Sequence, residues 1–170
     1  MADAENTSNM AYSQFARRYA EIALTKPHNA LYERPATMAL LGNVNGLRVL
    51  DAGCGPGICS EHLAHNGASV HAFDVTPEIA ELARTRCRGL PVDVTEGDLA
   101  APLNWLSDQS FDKILCSLAF DYLEDLKPAL NEFRRVANEA PRVFRRLQFL
   151  RKWSYGKHEE EVTMVLAGSS

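Results

Sequence analysis

Long apolar runs are missing from this chain. Nowhere do its 170 residues approach the roughly 18 apolar positions that a membrane-spanning helix needs. The start, Met1-Ala-Asp-Ala-Glu5, lacks a basic-then-apolar leader pattern, so the expected compartment is the cytoplasm, with no membrane partner. Excess positive charge is missing too: a net charge of −4 removes any general attraction to nucleic acid or anionic lipid. Cysteine is sparse, at Cys54, Cys59, Cys87 and Cys116, and none forms a C-x-x-C pair. That pattern reads as reduced thiols packed as small apolar groups, not as a disulfide framework or metal site. His62 and His65 lie three apart on a predicted helix but have no third ligand nearby in sequence, which reads as a solvated helix face, so no metal is expected.

What is present is ordinary in bulk and specific in one place. A hydrophobic share of 46% and a charged share of 24% describe one globular domain. The specific place is Val49-Leu-Asp-Ala-Gly-Cys-Gly-Pro-Gly57, an apolar strand ending in an acid and followed by three closely spaced glycines. Such a strand, turning sharply into a helix N-terminus, holds nucleotide-like ligands. The dinucleotide fingerprint G-x-G-x-x-G requires its third glycine at position 58, which is Ile58; here that glycine comes one residue early, at Gly57.

Residues 1–9 are polar and aperiodic and are expected to be disordered. Tyr12, Phe15, Ala16, Tyr19, Ile22 and Ala23 then follow helical spacing, Pro27 is expected to stop that helix, and Pro35 opens another reaching Leu41. Strands follow at 47–52, 69–75, 92–96 and 111–117. Between them lie helices at 60–66, closed by Gly67, and from Thr76-Pro77-Glu78, with its capping hydroxyl and first-turn proline. Leu126, Leu130, Phe133 and Ala137 mark one face of a last helix. The alternation gives an α/β fold, a doubly wound, Rossmann-like, mostly parallel sheet with helices on both faces. Right-handed crossovers collect the strand C-termini along one edge.

The residues at that edge have a shared use. Gly53 and Gly55 carry no side chain, so a ligand can approach the backbone, and amides of the loop and helix start can accept an anion. Asp51 can bind an ammonium directly or through water. Asp74, ending the second strand, can accept hydrogen bonds from two vicinal ribose hydroxyls, a geometry that by itself also suits NAD; a helix-capping role near Thr76 is the structural alternative. Asp98, in Gly97-Asp98-Leu99, can accept from the exocyclic amine of adenine while the Leu99 amide donates to the ring. A turn acid is the alternative there.

The pattern Asp51-x-Gly53-x-Gly55-x-Gly57 resembles the first motif of class I S-adenosylmethionine (SAM)-dependent methyltransferases. Phe111-Asp-Lys-Ile-Leu-Cys-Ser-Leu-Ala-Phe-Asp-Tyr-Leu123, Leu130-Asn-Glu-Phe-Arg-Arg-Val136 and Asn29-Ala-Leu-Tyr-Glu-Arg-Pro35 are similar to segments of the type 11, small-molecule branch. The resemblance implies SAM as cofactor and transfer of its methyl group to a small-molecule acceptor by in-line displacement. It assigns Asp51, Gly53, Gly55, Asp74, Asp98 and Leu99 to the cofactor, and places Ser117 to Phe120 beside the methyl group. It implies a domain organisation of an N-terminal helical lid (10–46), in which Tyr12 and Tyr19 close over the methionine end or simply pack, a SAM-binding core (47–140) and an atypical C-terminal segment (141–170).

Departures from the family limit the chemistry. Relatives often carry histidine before the tyrosine that ends the fourth-strand motif; this chain has Asp121-Tyr122, and Asp121 is either a proton acceptor or a surface carboxylate. Ser117-Leu-Ala-Phe120 stands where base-amine methyltransferases have Asn/Asp-Pro-Pro-aromatic, which argues against a nucleic-acid acceptor. A Pro-Gly-Gly turn is absent after Val136. The five basic residues from Arg142 to Lys152 are followed by glutamates at 159–161, which oppose a polyanion. With Val162–Ala167 as one more strand, five or six strands are expected, a C-terminally abbreviated sheet in which cofactor binding can outlast turnover. The alternative function is therefore a non-catalytic SAM- or adenosine-binding module. Acceptor atom and oligomeric state have no signature in these residues.

Overall fold

Each apolar run before an acid or serine becomes a buried strand. We describe the chain from a computed structural model covering residues 18, 20–22, 25, 27, 29–138, 147–154 and 157–167. Strands β1 (Arg48–Ala52), β2 (Ser69–Asp74), β3 (Val92–Glu96) and β4 (Lys113–Ser117) pair in parallel. Strands β5 (Leu147–Ser154) and β6 (Lys157–Ala167) pair antiparallel, and β6 runs antiparallel along β4. The sheet order is β3-β2-β1-β4-β6-β5, six strands in all. Register sets Arg151 opposite Glu160 and Lys152 opposite Glu159, so the last two basic residues of the run beginning at Arg142 meet the glutamates strand to strand.

Strand alternation divides the core into two layers. Val49, Val70, Ala72 and Leu115 face one side, where they meet Leu41, Leu63, Ala64, Ala80 and Ala83. Those partners come from α1 (Arg34–Leu41), α2 (Ile58–His65) and α3 (Pro77–Arg86). Leu50, Ala52, Phe73, Ile114 and Cys116 face the other side, against Phe133 and Val136 of α4 (Lys127–Val136). Each fully buried Leu or Phe contributes about 1.5–3 kcal/mol relative to exposure. The two-layer cover explains why strands wet on neither face read as near-continuous apolar runs.

The local expectations needed three adjustments. Pro27 was expected to stop a helix, yet the described positions Arg18, Ala20, Glu21, Ile22, Thr25 and Pro27 are all helical. A π-helical turn, Asn29–Glu33, then leads into α1. Helix α2 begins at Ile58, not Ser60, because left-handed Gly57 (φ 78°) serves as its N-cap. The Thr76 hydroxyl makes no cap bond to α3; its backbone N–H instead donates to Asp74 Oδ1 at 3.0 Å.

The β3–β4 connection, residues 97–112, contains no helix. Arg135 of α4 holds it instead, donating to the carbonyls of Leu103 (2.9 Å) and Leu106 (2.8 Å) and to Asp108 (2.6 Å). Glu132 clamps the guanidinium at 2.6 Å and accepts the Leu103 N–H at 3.1 Å. Buried Leu99, Leu103 and Leu106 supply the apolar side of this strap.

Candidate functional site

Strand order places the site before any side chain is considered. From β1 the chain moves outward to β2 and β3, then returns to lay β4 on the other flank of β1. This reversal opens a crevice beyond the C-terminal ends of β1 and β4, where open α/β sheets bind ligands. Gly53 follows β1 and Ala119 follows β4. A Cβ on Gly53 would lie 2.5 Å from the Ala119 Cβ, so glycine (φ 71°) lets the two loops close on each other. Leu118, between Ser117 and Ala119, has φ 59°, a left-handed backbone unusual for a branched residue.

The glycine loop is tied down by β2. The N–H groups of Gly53 and Cys54 both donate to the Phe73 carbonyl at 2.9 Å, and the Gly55 N–H donates to Asp74 Oδ2 at 3.0 Å. The Gly57 N–H reaches the Cys54 carbonyl, and Glu61 N–H to Gly57 carbonyl closes the first bond of α2. The amides of Ile58, Cys59 and Ser60 precede that first bond and have no carbonyl four residues back within the helix. Anion-binding capacity thus falls on the first turn of α2 more than on the loop. Beside Gly55 the space is open: an added Cβ would meet nothing within 4 Å. Gly57 has a packing role, because a Cβ there would lie 3.0 Å from Ala83 of α3.

Three acids stand at three successive strand ends. Asp51 is 2% exposed and accepts the Ser60 hydroxyl at 2.5 Å. Burial pushes its pKa up to about 6, with the Ser60 bond opposing and the nearby carboxylates of Asp74 and Glu33 adding to the rise. Asp74 uses one oxygen for Gly55 and the other for Thr76, so it starts α3 and ties down the loop at once. Two carboxylate oxygens offer about four lone-pair sites, which leaves room for ribose hydroxyls. Asp98 is exposed, and its Oδ1 accepts the Ala100 N–H at 2.8 Å, a turn bond. The Gly97 N–H reaches the Asp74 carbonyl at 3.0 Å, which docks the Asp98 turn on the end of β2. Leu99 is buried in the core and anchors that turn from below.

Ser117 ends β4 and donates its hydroxyl to Glu33 Oε1 at 2.6 Å. The 3-10 turn Phe120–Tyr122 follows; Tyr122 is 82% exposed, and the side chain of Asp121 lies outside the described residues, as do Tyr12 and Tyr19. Two residues were not singled out from sequence. Val75, directly after Asp74, is 62% exposed and offers an apolar face beside the ribose acid. Its only signal was an apolar residue between a strand-end acid and a helix cap. Glu33 lies within a segment already matched to the family, but no periodicity marked it as buried.

The remaining reactive side chains are accounted for locally. Burial raises the thiols of Cys54 and Cys59, with Asp51 adding to both, and pushes Cys87 up to about 11. All four cysteines are free thiols. Among the described residues no group of three His, Cys, Asp or Glu side chains could hold a metal ion, and no helix is long and apolar enough to cross a membrane. His62 and His65 are exposed on α2.

Comparison with known proteins agrees with this geometry. A demethylmenaquinone methyltransferase of Tropheryma whipplei is 32% identical over 113 residues, covering 65% of this chain and 45% of its own length. A ubiquinone biosynthesis O-methyltransferase of Xanthomonas euvesicatoria is 35% identical over 115 residues, covering 58% and 46%. The chain therefore spans about half the length of the curated relatives it matches. The crystal structure of an S-adenosylmethionine dependent methyltransferase from Mesorhizobium loti superposes with a TM-score of 0.59 at 31% identity, covering 64% of this chain and 49% of that one. Residues 49–140, more than half of the chain, match the family described as "Methyltransferase domain". With its glycine turn, strand-end acids and switch-point crevice inside that span, the chain belongs to the methyltransferase domain family.

Proposed function

We propose that this protein binds SAM at the C-terminal ends of β1, β2 and β4 and transfers its methyl group to a small-molecule acceptor. The observation that carries the reading is the set of acids ending β1 and β2 and following β3, arranged around a glycine turn at the reversal of strand order. The residues fit the cofactor's chemistry. Space beside Gly55 and the amides opening α2 suit the methionine carboxylate, Asp51 suits its ammonium, Asp74 the ribose diol, Val75 an adenine face, and Asp98 with the Leu99 N–H the adenine edge.

When bound, the cofactor supplies a sulfonium methyl that is already a good electrophile. The protein's contribution is then alignment and exclusion of water. Ser117 to Phe120 form the wall beside the reacting carbon, with Ser117 oriented by Glu33. Asp121 is a candidate proton acceptor for acceptors that must ionise before attack. The small-molecule class is supported by Ser117-Leu-Ala-Phe120 at the end of β4 and by the relatives, a demethylmenaquinone methyltransferase and a ubiquinone biosynthesis O-methyltransferase.

Calorimetry with SAM, S-adenosylhomocysteine and NAD tests this reading. SAM and S-adenosylhomocysteine are expected to bind and NAD is not; NAD binding with no response to the other two overturns it. Asp74→Ala is expected to weaken SAM by about 1.5–3 kcal/mol through charge-assisted hydrogen bonds. Binding without turnover on a panel of phenolic acceptors would favour the non-catalytic module.

A further inference from the structure

Trp105 sits in the helix-free crossover between β3 and β4, and its place is fixed from both sides. The Leu103 N–H donates to Glu132, and the Leu103 and Leu106 carbonyls accept from Arg135. Helix α4 thus pins the backbone two residues before the indole and one residue after it. The indole itself lies against β2. Its ring centre is 5.3 Å from that of Phe73, edge-on at 88°, and 5.4 Å from that of His71. His71 is held in turn by Asp93 Oδ2 at 3.3 Å and Thr95 Oγ1 at 3.2 Å, both on β3. Burial is a weak reason for this tryptophan, since 43% of it stays exposed. What it abuts is a stronger one.

It abuts Gly97. A Cβ on Gly97 would lie 2.7 Å from Trp105 Cζ2 and 3.1 Å from Phe73 Cδ2, too close for either ring to stay in place. Gly97 is not among the glycines with positive φ, so its backbone does not demand glycine; the indole does. The residue after Gly97 is Asp98. Its turn is tied on one side by the Gly97 N–H to the Asp74 carbonyl and internally by Asp98 Oδ1 to the Ala100 N–H. Trp105 supplies a further side, and it is itself locked by α4 and by two rings of β2. A seat this firm under an exposed acid fits a turn whose carboxylate must point in one direction.

We propose that Trp105 is a positioning residue for the purine end of the methyl donor. Its indole is the floor on which Gly97 rests, and it thereby sets where the Asp98 carboxylate and the Leu99 N–H meet the adenine edge. This inference rests on the reading of Asp98 as the adenine acid. It extends the site into the crossover and links base selectivity to the Arg135–Glu132 clamp that holds Trp105 in place.

The test compares two ligands by calorimetry: S-adenosylhomocysteine, and S-inosylhomocysteine, which has a carbonyl where adenine has its amine. A carboxylate accepts from the amine and repels the carbonyl, so wild-type protein should prefer S-adenosylhomocysteine at least tenfold. Trp105→Leu, which stays apolar but removes the ring carrying Cζ2, is expected to cut that preference to less than threefold. Gly97→Ala should lower it as well, by pushing the turn off the indole. In the Trp105→Leu background, where the indole is gone, Gly97→Ala should change it less than twofold further. A Trp105 that only stabilises the fold would weaken both ligands alike and leave the preference intact. That result, or an equal effect of Gly97→Ala in both backgrounds, overturns the inference. Wild-type protein that binds neither ligand overturns the donor reading together with this one. Wild-type protein that binds both ligands equally overturns the role of Asp98 and this inference, but not the donor reading. Full discrimination by wild type and Trp105→Leu alike overturns this inference alone.

Discussion

Asp51 should make the fold less stable as pH rises through the mildly acidic range. Its carboxyl is raised from an ordinary 3.8 to about 6, chiefly by burial. That difference corresponds to about 3 kcal/mol of penalty on the ionised form. The sign follows from proton binding. Below about pH 4 the group is protonated in both folded and unfolded chains and contributes nothing. Between about pH 4 and 6 the folded chain keeps a proton that the unfolded chain has released, so stability falls as pH rises; above about pH 6 the full penalty is present. Asp51→Asn removes this term while keeping an acceptor for Ser60. Urea unfolding of both proteins at pH 4 and pH 7 should show the Asn variant gaining about 2–2.5 kcal/mol on the wild type between the two conditions. Titrations common to both proteins cancel in that difference. A gap that stays constant across the interval would refute the assignment of a raised pKa to Asp51. A bound cation near the crevice should reverse the effect, so SAM binding at pH 5 is expected to release a proton, measurable by calorimetry in two buffers of different ionisation enthalpy.

Two further outcomes follow from packing. Gly53→Ala should cost about 1–3 kcal/mol, because its Cβ would meet Ala119 Cβ at 2.5 Å and because φ is 71°. Adding Ala119→Gly should recover the clash and leave the backbone term, and strictly additive losses in denaturant unfolding would count against the contact. Arg135→Met should release the strap over 103–108 at a cost of about 1–3 kcal/mol, with faster hydrogen exchange at the Leu103 and Leu106 amides; unchanged exchange there would show that the apolar anchors alone hold the crossover.

The centre of the parallel sheet was legible because β1 and β4 are buried on both faces and so carry near-continuous apolar runs before a glycine or a serine. Asp51, Gly53, Asp74 and Ser117 were legible for the same reason: each stands where an apolar run stops, and the fold brings such points to one edge. Glu33 was not, since nothing local separates a buried glutamate from a solvated one; its burial depends on Ser117, 84 positions away. The role of Gly57 was hidden in a similar way, because the need for glycine arises from Ala83 on another helix. The helix-free crossover has no periodic pattern to read; Arg135 and Glu132 from α4 hold its polar side and buried Leu99, Leu103 and Leu106 its apolar side. In the hairpin, Val162–Ala167 looked like a strand, while its extension back to Lys157 runs through glutamates that no strand propensity favours.

The pairing of β6 with β4 also bears on how the chain is made. The parallel strands are complete once Ser117 has been synthesised, but the outer edge of β4 is covered by residues 163–167, more than forty positions later. At about 5–20 residues per second, that edge waits roughly 2–10 s for its partner on the ribosome. During that interval β4 presents unpaired N–H and C=O groups on an apolar strand, a template for pairing with another nascent chain. Slow synthesis of residues 118–167 would lengthen the exposure, so yield of this protein should depend on translation speed and chaperone supply as well as on the stability of the finished fold.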